Sequence, residues 1–324
     1  MKKILMNFWM SVFLLGVSSV EGQQVPKKTI TVAICKAVEH EALNTTAAGV
    51  RDYLNNRASA QNVTYRFLEE TCQGNMTLGT QIMEKFSQAK VDVVVTVGTT
   101  STQSAYRIAK GGKLKAVVFA SVTNPSDVSA RLPEAQVTGI SNFVPLDPQV
   151  ALFREIQPNL KTLGVLCNPG EPNSVAIVER LIPVCQKMGI VVKQQAIPRA
   201  SDIPQSTEKL AQDVQAIFIS NDNLALSAIP LIVSIASKRG IPVYVSDTDQ
   251  VEKGCLASLG PNQYQLGEQA GKIVERIVEG ENPNNIPVEY AQEEICELHV
   301  RTDGVVPIPE SVRKRAKKIL KGKE

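Results

Sequence analysis

The sequence predicts an α/β protein made of two similar lobes, each a doubly wound parallel sheet, joined by three crossovers. The first observation is length, because 324 residues are enough for about two domains. The second is the alternation, from Lys28 onward, of short β-branched runs with segments of helical periodicity. The third is the apolar run 91–97 (VDVVVTV), which is typical of a parallel strand covered by helices on both faces.

The composition excludes several protein classes. The chain is 43% hydrophobic and 21% charged, as in an ordinary globular protein rather than a disordered or fibrous one. Its net charge of +3 is not the large basic excess of a nucleic-acid-binding protein that relies on phosphate contacts, and with one Trp the chain is poorly supplied with stacking platforms, so no nucleic-acid partner is expected. The two histidines, His40 and His299, are too few and too distant for a His-rich metal site, and we expect no metal.

Residues 1–22 have the order of a cleaved secretory signal peptide. Two Lys follow Met1, an apolar stretch occupies 4–17, and small residues dominate 18–22. The apolar stretch is too short to span a bilayer comfortably, and no Cys stands at its end for lipid attachment, since the first Cys of the chain is Cys35. We therefore expect an exported, soluble protein.

The predicted elements follow one another in a regular order. The strands of the first half are Thr29–Cys35, Val63–Leu68, Val91–Val97, Ala116–Phe119 and Val137–Ile140. The strands of the second half are Thr162–Cys167, Ile190–Gln195, Ala216–Ser220, Val243–Ser246 and Cys255–Leu259. The helical spacing of apolar residues predicts helices that include 42–55, 175–187, 264–279 and 309–320.

The two halves resemble each other at three matched points in the same order. The matched pairs are 91–105 with 214–228, 116–123 with 242–249 and, more loosely, 30–40 with 163–173. This order indicates two similar domains, with crossovers expected near 141–147, 259–262 and 282–287. The predicted first lobe is 28–142 plus 261–285, and the predicted second lobe is 143–260 plus 286–324.

Polar side chains follow six of the predicted strands, three in each half. Because ligands of open parallel sheets lie beyond the carboxyl ends of the strands, we expect these loops to line one cleft between the lobes. The candidate ligand-binding residues are Glu39, His40, Thr99, Thr100, Ser101, Thr123, Asn124, Asn168, Glu171, Asn173, Ser174, Asp222, Asn223 and Asp247. Taken singly, each is better interpreted as a helix cap or turn former. Their recurrence in all six loops favours binding.

The two halves contribute opposite chemistry to the predicted cleft. Thr99–Ser101 stand where a helix should begin, and a helix N-terminus suits an anion such as a carboxylate. Glu171, Asp222, Asp247 and Asp249 suit a cation such as an ammonium group. A zwitterion held between the halves would satisfy both.

Catalytic and cofactor motifs are missing from the sequence. There is no G-x-S-x-G elbow, no Walker loop and no H-E-x-x-H, and no G-x-G-x-x-G follows the first strand. We therefore expect a binding protein without a cofactor rather than an enzyme. An exported enzyme using Glu39, His40 and Asp222 stays open as a weaker alternative.

The six cysteines contain no C-x-x-C pair, which excludes a thioredoxin-type motif and a zinc ribbon. A small buried hydrophobe is the simpler interpretation of a Cys, and we prefer it for Cys185. Export permits disulfides, and Cys35 and Cys72 end neighbouring predicted strands, so they are the candidate disulfide pair.

The chain resembles the periplasmic solute-binding proteins of ABC transporters, in the group that includes tryptophan- and tyrosine-binding members. The segments that carry the resemblance in the first half are 38–43 (VEHEAL), 74–76 (GNM) and 121–125 (SVTNP). In the second half they are 164–174 (GVLCNPGEPNS), 220–223 (SNDN) and 245–247 (VSD). The third-strand loop Gly98–Thr102 departs from the family, where Ala-Thr-Pro is common.

The resemblance implies a type I periplasmic-binding fold with three crossovers and no catalysis. It implies a small solute, often an amino acid, held between the lobes of a monomeric periplasmic protein and delivered to a membrane permease. It also places candidate residues such as His40, Thr123 and Asp222 on cleft-lining loops. A ligand-binding sensor on the same fold is the alternative that the sequence leaves open.

Overall fold

The computed structural model of the protein describes residues 27–125 and 135–321. The predicted signal peptide, residues 1–22, lies outside these described residues. Within the described ranges, no helix is both long and apolar enough to cross a membrane.

The ten strands predicted for the two halves are all present, with ends that differ by at most three residues. The first half forms β1 (Lys28–Lys36), β2 (Val63–Thr71), β3 (Val93–Val97), β4 (Val117–Val122) and β5 (Val137–Ser141), with α1 (Glu41–Ala58), α2 (Met76–Gln88) and α3 (Thr99–Ala109). The second half forms β6 (Thr162–Cys167), β7 (Val191–Ala196), β8 (Ala216–Ile219), β9 (Val243–Val245) and β10 (Ala257–Pro261). Its helices are α4 (Leu146–Ile156), α5 (Pro172–Lys187), α6 (Ile203–Asp213), α7 (Asn223–Ser227) and α8 (Ile229–Ser237).

The remainder of the chain completes both lobes. It forms α9 (Gln263–Val278), β11 (Glu289–Tyr290), β12 (Cys296–Arg301), α10 (Glu310–Arg315) and β13 (Lys318–Leu320). In the described residues, the first sheet has the strand order β11-β5-β4-β3-β1-β2 and the second β13-β12-β10-β9-β8-β6-β7. The five strands that each half contributes have the same order in both sheets. The strand order therefore confirms the two similar doubly wound lobes, and the pair β10–β12 is antiparallel whereas the others are parallel.

Each sheet is covered by helices on both faces. Successive side chains of a strand point to opposite faces of the sheet, and both sets are buried. In β1, the buried Val32 and Ile34 join one core cluster and the buried Ala33 and Cys35 join another. The sheet of the second lobe divides its buried side chains in the same way. This two-sided burial explains why the strands are apolar without alternation.

Helix α9 returns to the first lobe after β10 and packs against α1 through glycines on both helices. A Cβ atom added to Gly49 would lie 2.1 Å from the Tyr264 carbonyl oxygen, and one added to Gly267 would lie 2.1 Å from the Thr46 carbonyl oxygen. The two backbones can approach so closely because neither contact position carries a side chain.

The third crossover lies later in the chain than the sequence predicts. Strand β11 pairs with β5 in the first sheet, and the Ala291 N–H donates to the Ser141 carbonyl oxygen. Residues 286–291, assigned to the second lobe from the sequence, therefore lie against the first. The two-residue strand gives no periodic signal, and its edge pairing with β5 determines where the chain stays.

The predicted C-terminal helix over 309–320 is wrong in its second half. Helix α10 ends at Arg315, and β13 pairs in parallel with β12. The Thr302 N–H donates to the Leu320 carbonyl oxygen at 2.9 Å. The open edge of β12 offers these residues backbone hydrogen bonds, and this tertiary pairing overrides the local helical pattern.

Candidate functional site

The carboxyl ends of the strands in the two lobes meet at an interlobe cleft. Loops after β1, β3 and β4 in the first lobe and after β6, β8 and β9 in the second enclose a space that we call the inner cavity. Its volume is about 20 Å³, which is room for about one water-sized group. The residues that line it are His40, Ala42, Leu43, Gly98, Thr99, Ser121, Thr123, Asn142, Asn173, Asn221, Asn223, Leu226, Asp247 and Gln263.

A larger space, which we call the outer chamber, adjoins the inner cavity between the same lobes. Its volume is about 430 Å³. It is lined by Val38, Glu39, Gln73, Gly74, Thr100, Asn168, Gly170, Glu171, Pro198, Arg199, Asn223, Leu224 and Ser227. Asn223 lines both spaces, so this residue stands at the boundary between them.

Helix α3 presents its first turn to the cleft. It begins after Gly98, whose φ of 96° lies in the region that favours glycine, and a Cβ there would lie 2.8 Å from the Ala37 Cβ. No side chain caps this helix. The Ser101 hydroxyl donates backward to the Val97 and Gly98 carbonyl oxygens at 3.1 and 3.0 Å. The first-turn N–H groups and the helix dipole therefore give the first-lobe side of the cleft a positive character.

Glu171 organises the second-lobe side of the cleft by accepting five hydrogen bonds. Its Oε2 accepts from the Asn223 N–H at 2.9 Å, from Asn223 Nδ2 at 2.6 Å and from Asn173 Nδ2 at 3.2 Å. Its Oε1 accepts from the Leu224 N–H and from Asn168 Nδ2, both at 3.1 Å. The carboxylate thereby fixes the orientation of the side-chain amides and supplies acceptors at the start of α7.

Asp222 is fully buried behind this network and caps α7. One carboxylate oxygen accepts from the Asn168 N–H and the Ser174 hydroxyl, each at 2.6 Å, and the other accepts from the Ala225 N–H at 2.8 Å. Burial, followed by the charge of Glu171, raises the pKa of Asp222 to about 6. All of these donors belong to its own lobe, so this carboxylate holds the loops together.

Hydrogen bonds join the two lobes directly across the cleft. His40 Nε2 lies 3.1 Å from Asn223 Oδ1, and Asn221 Nδ2 donates to Thr123 Oγ1 at 3.1 Å. Burial lowers the pKa of His40, although the Asn223 hydrogen bond and the Glu171 charge act in the opposite direction. These contacts make the arrangement a closed one.

An interlobe ion pair and two further acids flank the cleft. Lys253 Nζ lies 2.6 Å from Glu41 Oε2, across the two lobes. Asp247 lines the inner cavity and accepts from Gln250 Nε2 at 3.1 Å, and burial raises its pKa. Burial also raises the pKa of Asp249 to about 6, with the Asp247 charge acting in the same direction. Among the described residues, no group of three or more His, Cys, Asp or Glu could hold a metal ion.

Comparison with known proteins identifies the family. The model of the ABC transporter substrate binding protein family matches residues 31–320. The chain belongs to this family.

Sequence and structure comparisons agree with this assignment. The tyrosine-binding protein of Clostridioides difficile (strain R20291) is 27% identical over 266 residues, which cover 81% of this chain and 76% of the relative. A conserved domain protein from Vibrio cholerae is 32% identical with a TM-score of 0.82, covering 90% of this chain and all of the other. A Streptococcus pneumoniae domain in complex with L-Trp is 26% identical with a TM-score of 0.80 and the same coverage.

A ligand-free, open structure of a Clostridium difficile substrate-binding protein is also 26% identical, and it covers 91% of this chain and all of the other. Its TM-score is only 0.65. This ABC transporter substrate-binding protein therefore has the predicted type I periplasmic-binding fold, and its overall structure is more similar to the L-Trp complex than to the open structure.

The cleft of this substrate-binding protein gathers most of the residues predicted from the sequence. Six of them line the inner cavity: His40, Thr99, Thr123, Asn173, Asp247 and Asn223, of which Asn223 also lines the outer chamber. Four line the outer chamber: Glu39, Thr100, Asn168 and Glu171. The remaining four line neither space in the described part of the chain: Ser101, Asn124, Ser174 and Asp222. Ser101, Ser174 and Asp222 are buried and bond within their own lobes. Asp222 has the capping role that the sequence also allowed, whereas the hydroxyls of Ser101 and Ser174 donate to neighbouring groups without capping a helix.

Sequence reasoning did not select four polar residues that line the inner cavity: Ser121, Asn142, Asn221 and Gln263. Ser121 and Asn221 stand inside the loops already identified, and their position beside Thr123 and Asp222 was the available signal. Asn142 lies at the first crossover and Gln263 directly after the second, where the chain passes the cleft. A crossover residue is placed there by tertiary structure, and its local sequence carries no distinct pattern.

The disulfide expected between Cys35 and Cys72 is not present, because all six cysteines, which all lie in described parts of the chain, are free thiols. Cys72 Sγ donates to the Ala37 carbonyl oxygen at 3.3 Å. The hydrogen bond with Cys72, together with burial, raises the pKa of the Cys35 thiol. Both side chains belong to the apolar core of the first lobe, so they act as small hydrophobes.

Proposed function

We propose that this substrate-binding protein captures an amino acid in the interlobe cleft, outside the cytoplasm, and delivers it to the permease of an ABC transporter. The observation that carries the proposal is one small polar space enclosed by strand-end loops from both lobes. Because both lobes belong to one chain, the site needs no second copy, and we propose a monomer.

The electrostatics of the cleft suit a zwitterion. The uncapped first turn of α3 offers N–H donors to a carboxylate, and the opposite lobe offers the acidic network around Glu171. Among the residues that line the two spaces in the described ranges, there is no Phe, Tyr or Trp. We therefore propose an amino acid as the ligand and do not assign it an aromatic side chain, although one relative is a tyrosine-binding protein and another is in complex with L-Trp.

Binding is proposed to stabilise a closed form. A ligand that contacts both lobes has a higher affinity for the closed arrangement and shifts the open–closed equilibrium toward it. The direct hydrogen bonds between Asn221 and Thr123 and between His40 and Asn223 join the two lobes and support a closed form. The permease would then recognise the closed surface.

The test is a calorimetric titration of the mature chain with each of the twenty L-amino acids, combined with thermal unfolding. We expect saturable one-to-one binding of at least one amino acid and a rise in the melting temperature, since a ligand at 100 times its Kd adds about 2.7 kcal/mol to stability. The absence of heat and of any melting shift across the whole panel would refute amino-acid capture.

A further inference from the structure

Two buried acceptor atoms on residues that line the inner cavity have no hydrogen-bond partner within the described part of the chain. They are His40 Nδ1 in the first lobe and Asn173 Oδ1 in the second. Asn173 is only 2% exposed. Buried polar atoms are nearly always paired, so two unpaired acceptors on one cavity indicate that a donor group belongs there.

The surrounding network establishes that both atoms are acceptors. The Glu171 carboxylate can only accept, so Asn223 turns Nδ2 toward it and presents Oδ1 to His40 Nε2. His40 Nε2 therefore carries the ring proton, and Nδ1 of the neutral ring carries a lone pair. In the same way, Asn173 Nδ2 donates to the Asn221 carbonyl oxygen at 2.7 Å and to Glu171, which leaves Oδ1 as the free acceptor.

The size and charge of the cavity select the kind of donor. Its volume of about 20 Å³ admits about one water-sized group. In the described chain, no Lys or Arg lines the cavity, whereas Asp247 does and the Glu171 carboxylate is bonded to Asn173. A hydroxyl has a single donor hydrogen, but a protonated primary amine has three and carries the complementary charge.

We propose that the inner cavity holds the protonated primary amine of the ligand, which donates to His40 Nδ1 and Asn173 Oδ1 and so joins the two lobes. This inference rests on the proposed capture of a small solute and adds which group of that solute closes the cleft. The rest of the ligand extends toward the outer chamber, which shares Asn223 with the inner cavity.

Matched probes separate this inference from the proposed function. The tightest amino acid of the calorimetric panel is compared with the analogue that has hydrogen in place of its amino group, and tyramine, tryptamine and putrescine are titrated as amines without a carboxylate. Two charge-assisted bonds predict that loss of the amino group weakens binding at least about a hundredfold. Equal affinity of the amino acid and its deaminated analogue would overturn the inference and leave amino-acid capture standing.

The remaining outcomes are also decisive. Binding of an amine but of no amino acid would overturn the proposed function and support the amine site. If neither amino acids nor amines bind, a water molecule alone occupies the cavity and both proposals fail.

Two substitutions of one residue provide the matched variants. His40→Gln keeps a donor near the position of Nε2 and removes the acceptor at Nδ1, whereas His40→Asn keeps an acceptor near Nδ1 and removes the Nε2 bond. We expect the preference for the amino acid over its deaminated analogue to fall about tenfold or more in His40→Gln and to be retained in His40→Asn. An unchanged preference in His40→Gln would remove Nδ1 from amine recognition, because a general loss of folding lowers both affinities together.

Discussion

Replacing Glu171 with Gln should disrupt the second-lobe side of the cleft although the two side chains have nearly the same shape. The carboxylate accepts five hydrogen bonds, so its amide replacement must direct an NH₂ group at existing donors. If the NH₂ group replaces Oε1, it faces the Leu224 N–H; if it replaces Oε2, it faces the Asn223 N–H. Side-chain amides such as that of Asn168 can rotate, but these two backbone groups cannot.

The expected loss of stability in Glu171→Gln follows from the hydrogen bonds that the carboxylate accepts. At least one fixed backbone N–H loses its acceptor, and the bonds that remain lose the assistance of a negative charge. A hydrogen bond to a charged group contributes about 1.5–3 kcal/mol, so we expect Glu171→Gln to lower the free energy of unfolding by about 2–3 kcal/mol. Amino-acid affinity should also fall about tenfold or more, because the neutral amide holds Asn173 and Asn223 less strongly than the carboxylate that orients them.

The assay is chemical denaturation of the mature protein, with calorimetric titration of the amino acid found in the panel. Glu179→Gln is the matched control, because Glu179 is an exposed residue of the neighbouring helix α5, and its replacement should change stability by no more than about 0.5 kcal/mol. If both variants had the same stability and affinity as the unmodified protein, Glu171 would not organise the site.

Three further predictions concern closure, acidity and helix packing. Glu41→Gln removes the interlobe ion pair with Lys253 and should weaken ligand binding about two- to fivefold at low salt, a loss that calorimetry should no longer detect at 1 M salt; a salt-independent loss would contradict the electrostatic explanation. The raised pKa of Asp222, about 6, means that its contribution to stability is present at low pH and lost as the pH rises through 6. Denaturation of Asp222→Asn should therefore show a weaker decline in stability between about pH 4 and 6 than the unmodified protein, and equal slopes would contradict this assignment. Gly49→Ala places a Cβ against the Tyr264 carbonyl oxygen and should lower stability by about 3 kcal/mol, whereas unchanged thermal unfolding would show that α1 and α9 can separate freely.

The strands and the order of the lobes were predictable because buried parallel strands and the repeated pattern are local features. Val91–Val97, for instance, is apolar enough to identify a central strand, and β3 occupies most of it. The C-terminal strand β13 was not predictable, since the pattern around Val312 is helical and only the edge of β12 makes 318–320 extended. The position of the third crossover was predicted wrongly for a similar reason, because β11 has only two residues and gives no periodic signal.

The residue types of the candidate site could be predicted from the sequence, but their individual roles could not. Their position after a strand predicted that His40, Asn173 and Asn223 lie at the cleft, and the structure places all three beside the inner cavity. Nothing in the sequence distinguishes Asp222 from these three residues, yet its carboxylate caps α7 and lies outside the lining of both spaces. Which of two neighbouring polar residues faces the cleft depends on the local turn, and a helix cap and a ligand contact use the same side chains.

The central claim is that the lobes close over a small solute bearing an amine and a carboxylate. Native mass spectrometry of the protein, secreted and then incubated with a mixture of the twenty L-amino acids, tests it most directly. We expect one amino acid bound per chain and released on denaturation. A spectrum of the bare chain alone, before and after incubation, would contradict it.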